Sequence, residues 1–445
     1  MNLDLAPYFA AEEGIPFRDR WATMPWRNQK PVAPESVDQH WQSILNSRVS
    51  GNKRLLYLHI PFCATHCKFC GFYQNKLEAE ATEEYCDYLV REIEMEASSP
   101  LHQSSPIHAV YFGGGTPTAL SAVQLHRIIS ALKRLLPLAP DCEITVEGRI
   151  LNFDDERVDA CLEAGANRFS IGIQTFNTRI RQRMGRRATR EEAVAFMRQL
   201  AERDRAAVVC DLMFGLPDQT MQDWQTDLDI VSDLPLDGVD LYALNLLPST
   251  PLGKAVENKR VTLPDVTQRR DFYLTGEAFL ADEGWRQLSN SHWARTTRER
   301  NLYNLLIKQG ADCLAFGSCA GGNLNGQSYM MERSLERYYQ KLDEGRKPIM
   351  MMTSRSEQYR WRLTLQGGIE VGYFDLARVL ANPAPLEPLL QQWQTCGLMT
   401  VNGSRFRLTP AGRFWASNIM QALQTLVPQL LETQLTQPIQ LEPTP

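Results

Sequence analysis

The sequence predicts an α/β protein: a partial (β/α)6 barrel with an N-terminal arm and a C-terminal winged-helix-like α+β domain. Three observations predict it. From residue 54 onward, short apolar runs alternate with longer segments of helical period, the pattern of βα units around a parallel sheet. Cysteines, glycines and polar residues recur directly after those runs, where barrel enzymes carry their chemistry. Beyond about residue 355 the pattern changes to helices, a short hairpin and a last helix.

Residues 1–52 read as an ordered arm, because Trp21, Trp26 and Trp41 would otherwise sit in water. Residues 53–262 form the barrel core. Its strands are expected at "RLLYLHI" (54–60), "IHAVYFG" (107–113), "EITVEG" (143–148), "RFSIGIQ" (168–174), "AVVCDLMFG" (207–215) and "VDLYALN" (239–245). Thr82, with Glu83 and Glu84 behind it, is expected to open the first helix, since a capping hydroxyl and an acidic first turn suit the helix dipole. Ser121 opens the second, and Asp154 opens a third that Gly165 ends. Residues 263–350 are a barrel extension and connecting segment, 351–432 the winged-helix-like domain and 433–445 a frayed tail.

Composition narrows the function. Of 445 residues, 43% are hydrophobic and 22% charged, an ordinary globular balance. A net charge of -5 argues against a general nucleic-acid binder, and makes the C-terminal domain a structural appendage rather than a DNA reader. The N-terminus lacks a basic start followed by an apolar run, and no apolar stretch approaches the roughly 20 residues that span a bilayer. A cytoplasmic protein with reduced thiols is expected, its ten cysteines serving as metal ligands, core residues or reactive groups.

Three of those cysteines stand together. "HIPFCATHCKFCGFY" sets Cys63, Cys67 and Cys70 in a Cys-x3-Cys-x2-Cys run directly after the first strand. A structural zinc would take a fourth ligand, for which His66 and Cys86 are within sequence reach. An iron–sulfur cluster held by three thiolates would instead keep one iron open to an outside ligand. The spacing admits both. "YFGGGTP" ends the second strand, and its three glycines let backbone come close to a ligand. Glu147, Gln174 and Asp211 lie at or near the ends of later strands, where a barrel presents polar groups to its mouth. Six cysteines (Cys86, Cys142, Cys161, Cys210, Cys313 and Cys396) fall in apolar or helical patterns and read as core.

The three-cysteine run, with Phe69 before its last cysteine, resembles the radical S-adenosylmethionine (SAM) superfamily from about residue 20 to 430. "HIPFC" is similar to the branch holding oxygen-independent coproporphyrinogen dehydrogenase and the haem chaperones. That resemblance implies a 4Fe-4S cluster on Cys63, Cys67 and Cys70, with S-adenosyl-L-methionine chelating the open iron. It implies that Phe69 and the Gly113, Gly114, Gly115 and Thr116 motif contact SAM, the motif holding its amino group. Glu147 would be a further SAM contact, Gln174 and Asp211 would take the ribose hydroxyls, Arg186 a carboxylate, and the Leu246 backbone the adenine. Cys319, in a glycine-rich loop where relatives often place histidine, and His292, in a His-aromatic-Ala stretch, would be catalytic-site contacts to the substrate.

Three departures sharpen the resemblance. Phe72 stands where the dehydrogenase has a further cysteine, a long arm precedes the first strand, and Gly148-Arg149 replaces an acidic-Pro continuation. Together with "PFRDRWATMPWR", the cysteine run looks most like the anaerobic haem-degrading radical SAM methyltransferases. That resemblance implies haem as substrate, two SAM molecules per turnover and an electron donor such as flavodoxin. A deoxyadenosyl radical would abstract hydrogen from the methyl group of the second SAM, and the carbon radical would add to a meso carbon. A methylated linear tetrapyrrole and free iron would result. Coproporphyrinogen decarboxylation and haem trafficking without turnover stand as the alternatives.

Overall fold

A computed structural model describes residues 3–21, 29–48, 53–354 and 359–436. The chain divides into two compact units, one of residues 28–307 and 311–356, the other of 1–27, 308–310 and 357–445. The expected arm therefore falls partly in each unit, and Trp26 lies outside the described residues.

The larger unit is built on the predicted strands: β1 (Arg54–Ile60), β2 (Ile107–Gly114), β3 (Leu138–Gly148), β4 (Arg168–Gln174), β5 (Ala207–Phe214) and β6 (Gly238–Ala243). They lie side by side in that order, each parallel to the next. On the β6 side the antiparallel β7 (His292–Ala294) follows. On the β1 side lies β8 (Asp312–Phe316), parallel to β1, a strand within the segment 263–350 read as barrel extension and connection. Antiparallel strands β9 (Gly321–Leu324), β10 (Gln327–Met331) and β11 (Ile349–Ser354) continue from it. With the pairs Lys30–Pro31 and Arg286–Gln287 at its two edges, the sheet has 13 strands in a linear order among the described residues.

The helices α1 (Ala79–Ala97), α2 (Ala122–Leu135), α3 (Asp155–Ala164), α4 (Arg190–Glu202) and α5 (Met221–Asp233) connect successive strands. Their ends follow sequence chemistry. Ser121 caps α2 in a reciprocal capping box with Gln124, and Asp154 caps α3, which Gly165 ends at φ +113°. Thr82 does not cap α1: the helix starts at Ala79, one turn earlier. The buried Thr82 hydroxyl donates instead to the Ala79 carbonyl, an alternative open to any threonine in a first turn.

The smaller unit contains α8 (Tyr359–Val371), α9 (Glu387–Thr395) and α10 (Ala416–Thr436), labelled after α6 (Val266–Asp282) and α7 (Leu335–Asp343) of the larger unit. Its three-stranded antiparallel sheet comprises β12 (Tyr373–Asp375), β13 (Met399–Asn402) and β14 (Arg405–Leu408), with β14 in the centre. Helix α10 runs through Thr436, so residues 433–436 are helical rather than frayed, and 437–445 lie outside the described residues.

Candidate functional site

Period-2 alternation turns every second residue of each parallel strand toward the barrel axis. At the carboxyl ends this alternation opens a cavity of about 300 Å³. Cys63, Cys67 and Cys70 line it together with Phe69, Gly115, Thr116, Glu147, Gln174, Arg186 and Asp211. Residues far apart in the chain, from the loop after β1 to strand β5, thus meet in one place.

The cysteine loop is held from several sides. The Cys63 thiol lies 3.3 Å from the Thr116 hydroxyl, and the Phe72 N–H donates to the Cys70 sulfur at 3.3 Å. Lys68 N–H donates to the Met184 carbonyl, and Leu252 N–H to the Lys68 carbonyl. Burial pushes the Cys63 and Cys70 thiols above their ordinary range. Among the described residues no three His, Cys, Asp or Glu side chains converge to hold a single metal ion.

Two positions in the glycine motif require glycine. Gly114 sits at φ +112°, and a Cβ there would meet the His59 ring at 2.7 Å. A Cβ on Gly115 would meet the Phe62 carbonyl oxygen at 2.7 Å. Of the motif, Gly115 and Thr116 face the cavity, whereas Gly113 packs against the Tyr57 ring and the Glu147 carboxylate.

The polar wall carries unspent hydrogen-bonding capacity. Arg186 donates through Nη1 to the Gly172 carbonyl and lies over the Phe69 ring at 5.8 Å, yet its buried Nε has no partner. Gln174, held at φ +72°, buries an Oε1 that has none either. Buried polar atoms are rarely left unpaired, and side chains held in a sparsely populated backbone region cluster at ligand sites. Asp211 accepts from the Ser170 hydroxyl at 3.0 Å; burial, then Asp240 and Glu147, push its carboxyl up to about 8. These donors and acceptors fit an amino-acid head and a ribose beside a cluster held on three thiolates.

Leu246 packs on the apolar cluster of Ile180, Met184, Leu216, Leu244 and Leu252, which Phe69 and Met213 also cover. It does not line the cavity itself. Cys319 lies in the turn from β8 to β9, half-buried at φ +67°, also outside the cavity lining.

His292 departs from the expected substrate contact. It is fully buried on β7, with Nδ1 2.9 Å from Asp240 and Nε2 3.0 Å from Glu299. Glu299 in turn pairs with Arg168 at 3.0 Å. Both ring nitrogens of His292 thus face buried carboxylates, and His292 is not among the residues that line the cavity. The sequence could not show this network, because Arg168 and Glu299 are 131 residues apart.

Sequence reasoning did not single out Ser170, Gly172, Met213 or Tyr242, which also line the cavity. The signal was present: each falls an even number of residues from Gln174, Asp211 or Asp240 on the same strand.

Comparison with known proteins agrees with this geometry. The profile of the radical SAM superfamily matches residues 57–231. The anaerobilin synthase of Escherichia coli O157:H7 is 60% identical over 427 residues, covering 96% of each chain. A haem chaperone of Synechocystis is 29% identical over 64% of this chain and 70% of its own. In fold, the coproporphyrinogen III oxidase of Escherichia coli superposes with a TM-score of 0.76 at 24% identity, covering 91% of this chain and 97% of its own. With that resemblance running over nearly its whole length, the chain belongs to the radical SAM superfamily and, within it, to the anaerobilin synthase family.

Proposed function

We propose that the chain degrades haem without oxygen, by SAM-dependent methyl transfer and ring opening, giving a methylated linear tetrapyrrole and free iron. The observation that carries this reading is the near full-length identity to anaerobilin synthase, joined to a cavity in which three thiols meet an arginine and a glutamine with unspent polar atoms and the buried Asp211 carboxyl. Cys63, Cys67 and Cys70 hold the 4Fe-4S cluster. When bound, the cluster supplies one electron to the sulfonium of SAM, and this starts the radical chemistry.

The chain's own residues position and shield. Gly115 and Thr116, with Gly113 and Gly114 shaping the turn behind them, present backbone to the SAM amino group. Arg186 spends its free Nε on the carboxylate. Gln174 and Asp211 take the ribose hydroxyls, Glu147 supports the same wall, and Phe69 and the Leu246 backbone bound the adenine. The apolar cluster behind Phe69 keeps water from that side. A second SAM serves as methyl donor, and a flavodoxin-type protein in the cytoplasm delivers electrons. No described helix is long and apolar enough to cross a membrane.

For the substrate we propose the edge beside β8. Gly321, Met330 and Met351 are direct cross-strand partners on one face of β9, β10 and β11, and the Met330 sulfur lies where a Gly321 side chain would be. The neighbouring ladder, Gly322, Tyr329 and Met352, faces the packed side, where Tyr329 lies 4.8 Å from Trp41. Met351 is 42% exposed, and the half-buried Cys319 stands two residues before Gly321, where β9 begins. Sulfur of both kinds ligates haem iron. Cys319 is the substrate contact in this reading.

Paired substitutions test the assignment. Cys67→Ala should lose the cluster and all SAM cleavage while keeping the fold, whereas Arg186→Ala should keep iron and lose SAM affinity. SAM cleavage by Cys67→Ala, or unchanged affinity in Arg186→Ala, contradicts it.

A further inference from the structure

Arg149 lies just past the end of β3 and lines the same cavity as the three thiols, but it differs from Arg186 in how its donors are used. Its Nη1 donates to the Thr65 carbonyl at 3.1 Å and its Nη2 to the Thr65 hydroxyl at 3.0 Å. Thr65 is in the middle of the segment between Cys63 and Cys67. The Arg149 backbone N–H is itself directed at the Thr118 hydroxyl at 3.4 Å, next to the glycine motif whose Thr116 touches Cys63. One residue thus ties together the end of β3, the turn after β2 and the ligand loop.

A planar guanidinium used as a two-pronged clamp on Thr65 is held in place while its charge stays beside the thiols. No carboxylate is paired with it among the ion pairs of the described residues, and it is half-buried, where screening by solvent is reduced. Iron–sulfur potentials respond to net charge, hydrogen bonding and solvent exposure around the cluster. A fixed positive charge beside the thiolates favours the state that has gained an electron.

We infer that Arg149 is a positioning residue with two separable effects: its fork locks the Cys63–Cys67 loop, and its charge raises the reduction potential of the cluster. The inference rests on the cluster and not on the identity of the substrate.

Two substitutions separate the effects in the iron-reconstituted full chain. Arg149→Gln keeps an amide donor for the Thr65 carbonyl and removes the charge. Arg149→Lys keeps the charge and removes the fork. The readouts are the midpoint potential, from an anaerobic titration with a one-electron reductant followed by electron paramagnetic resonance, and the rate of iron loss to a chelator. A more negative potential is expected for Arg149→Gln. For Arg149→Lys a potential near that of the parent is expected, with iron lost at least about threefold faster, the effect of one hydrogen bond. Thr65→Val, which keeps the carbonyl and drops the hydroxyl, should behave like Arg149→Lys. A parent-like potential in Arg149→Gln overturns the electrostatic part, and parent-like iron loss in Arg149→Lys and Thr65→Val overturns the positioning part. Neither measurement uses haem, so a failed haem assay would leave the inference standing.

Discussion

Tyr111 donates a 2.6 Å hydrogen bond to Glu147 across the neighbouring strands β2 and β3. The other carboxylate oxygen lies 3.1 Å from where a Gly113 side chain would begin. Burial raises the Glu147 carboxyl above its ordinary range, and Tyr111 and then Arg168 pull it back. The hydroxyl therefore orients a cavity-wall carboxyl and favours its charged form against the burial that opposes it. Tyr111→Phe should weaken SAM binding by about 1 kcal/mol, the worth of one such bond, without loss of cluster iron. Isothermal calorimetry on reconstituted protein checks this, and unchanged affinity would remove Glu147 from the SAM wall.

Asp211 predicts a pH effect. Its carboxyl, at about 8 against an ordinary value of 3.8, holds a proton in the folded protein that the unfolded chain has already released. Between those values stability should fall as pH rises. A ribose hydroxyl donating to Asp211 favours the ionised form, so SAM binding at neutral pH should release a proton. Calorimetry in buffers of different ionisation enthalpy reads that proton directly. Asp211→Asn should abolish it; an equal release from the variant would assign the proton elsewhere.

The buried network predicts a stability defect at His292. Burial disfavours its charge, but Asp240 and Glu299 more than offset this and raise it to about 9 from an ordinary value of 6.5. Its contribution to stability is full below 6.5 and is lost as pH rises through 9. Glu299, despite burial, is held down to about 2 by Arg168 and His292, so its contribution is lost only as pH falls from 4.5 toward 2. His292→Gln leaves two buried carboxylates short of a cation and should cost about 3–5 kcal/mol. Denaturant unfolding measures this. A parent-like stability with lost haem turnover would return His292 to a role in catalysis.

Part of the fold and of the site is legible in the amino-acid order alone. The strands at 54–60 and 168–174 match the apolar runs residue for residue, because an uninterrupted apolar run bounded by turn residues leaves little freedom. Ser121 and Asp154 are legible for a related reason: a cap is a local bond. Strand β8, only Asp312–Phe316, is not, because its place beside β1 is set by pairing with a distant segment, Asp312 opposite Arg54. The cysteine run and the glycine motif announce the site. What they do not announce is Arg149, whose bonds to Thr65 cross 84 residues, or the network that claims His292.

Cys319 carries the substrate proposal. Because its φ of +67° suits glycine better than alanine, Cys319→Gly removes the thiol without adding backbone strain. Haem affinity should fall by roughly tenfold or more, about 1.4 kcal/mol, with SAM binding unchanged. An anaerobic haem titration followed at the Soret band measures it. If the variant binds and ligates haem like the parent, the substrate lies elsewhere in the mouth.

Ring opening of haem decides the function, and one experiment reads it: iron-reconstituted protein incubated anaerobically with SAM, a low-potential reductant and haem, followed by absorbance and mass spectrometry. The expected result is loss of the Soret band with formation of 5′-deoxyadenosine and a methylated open-chain tetrapyrrole. Intact haem after SAM has been cleaved, or a closed macrocycle that has lost carboxyl groups when coproporphyrinogen is supplied instead, would contradict it.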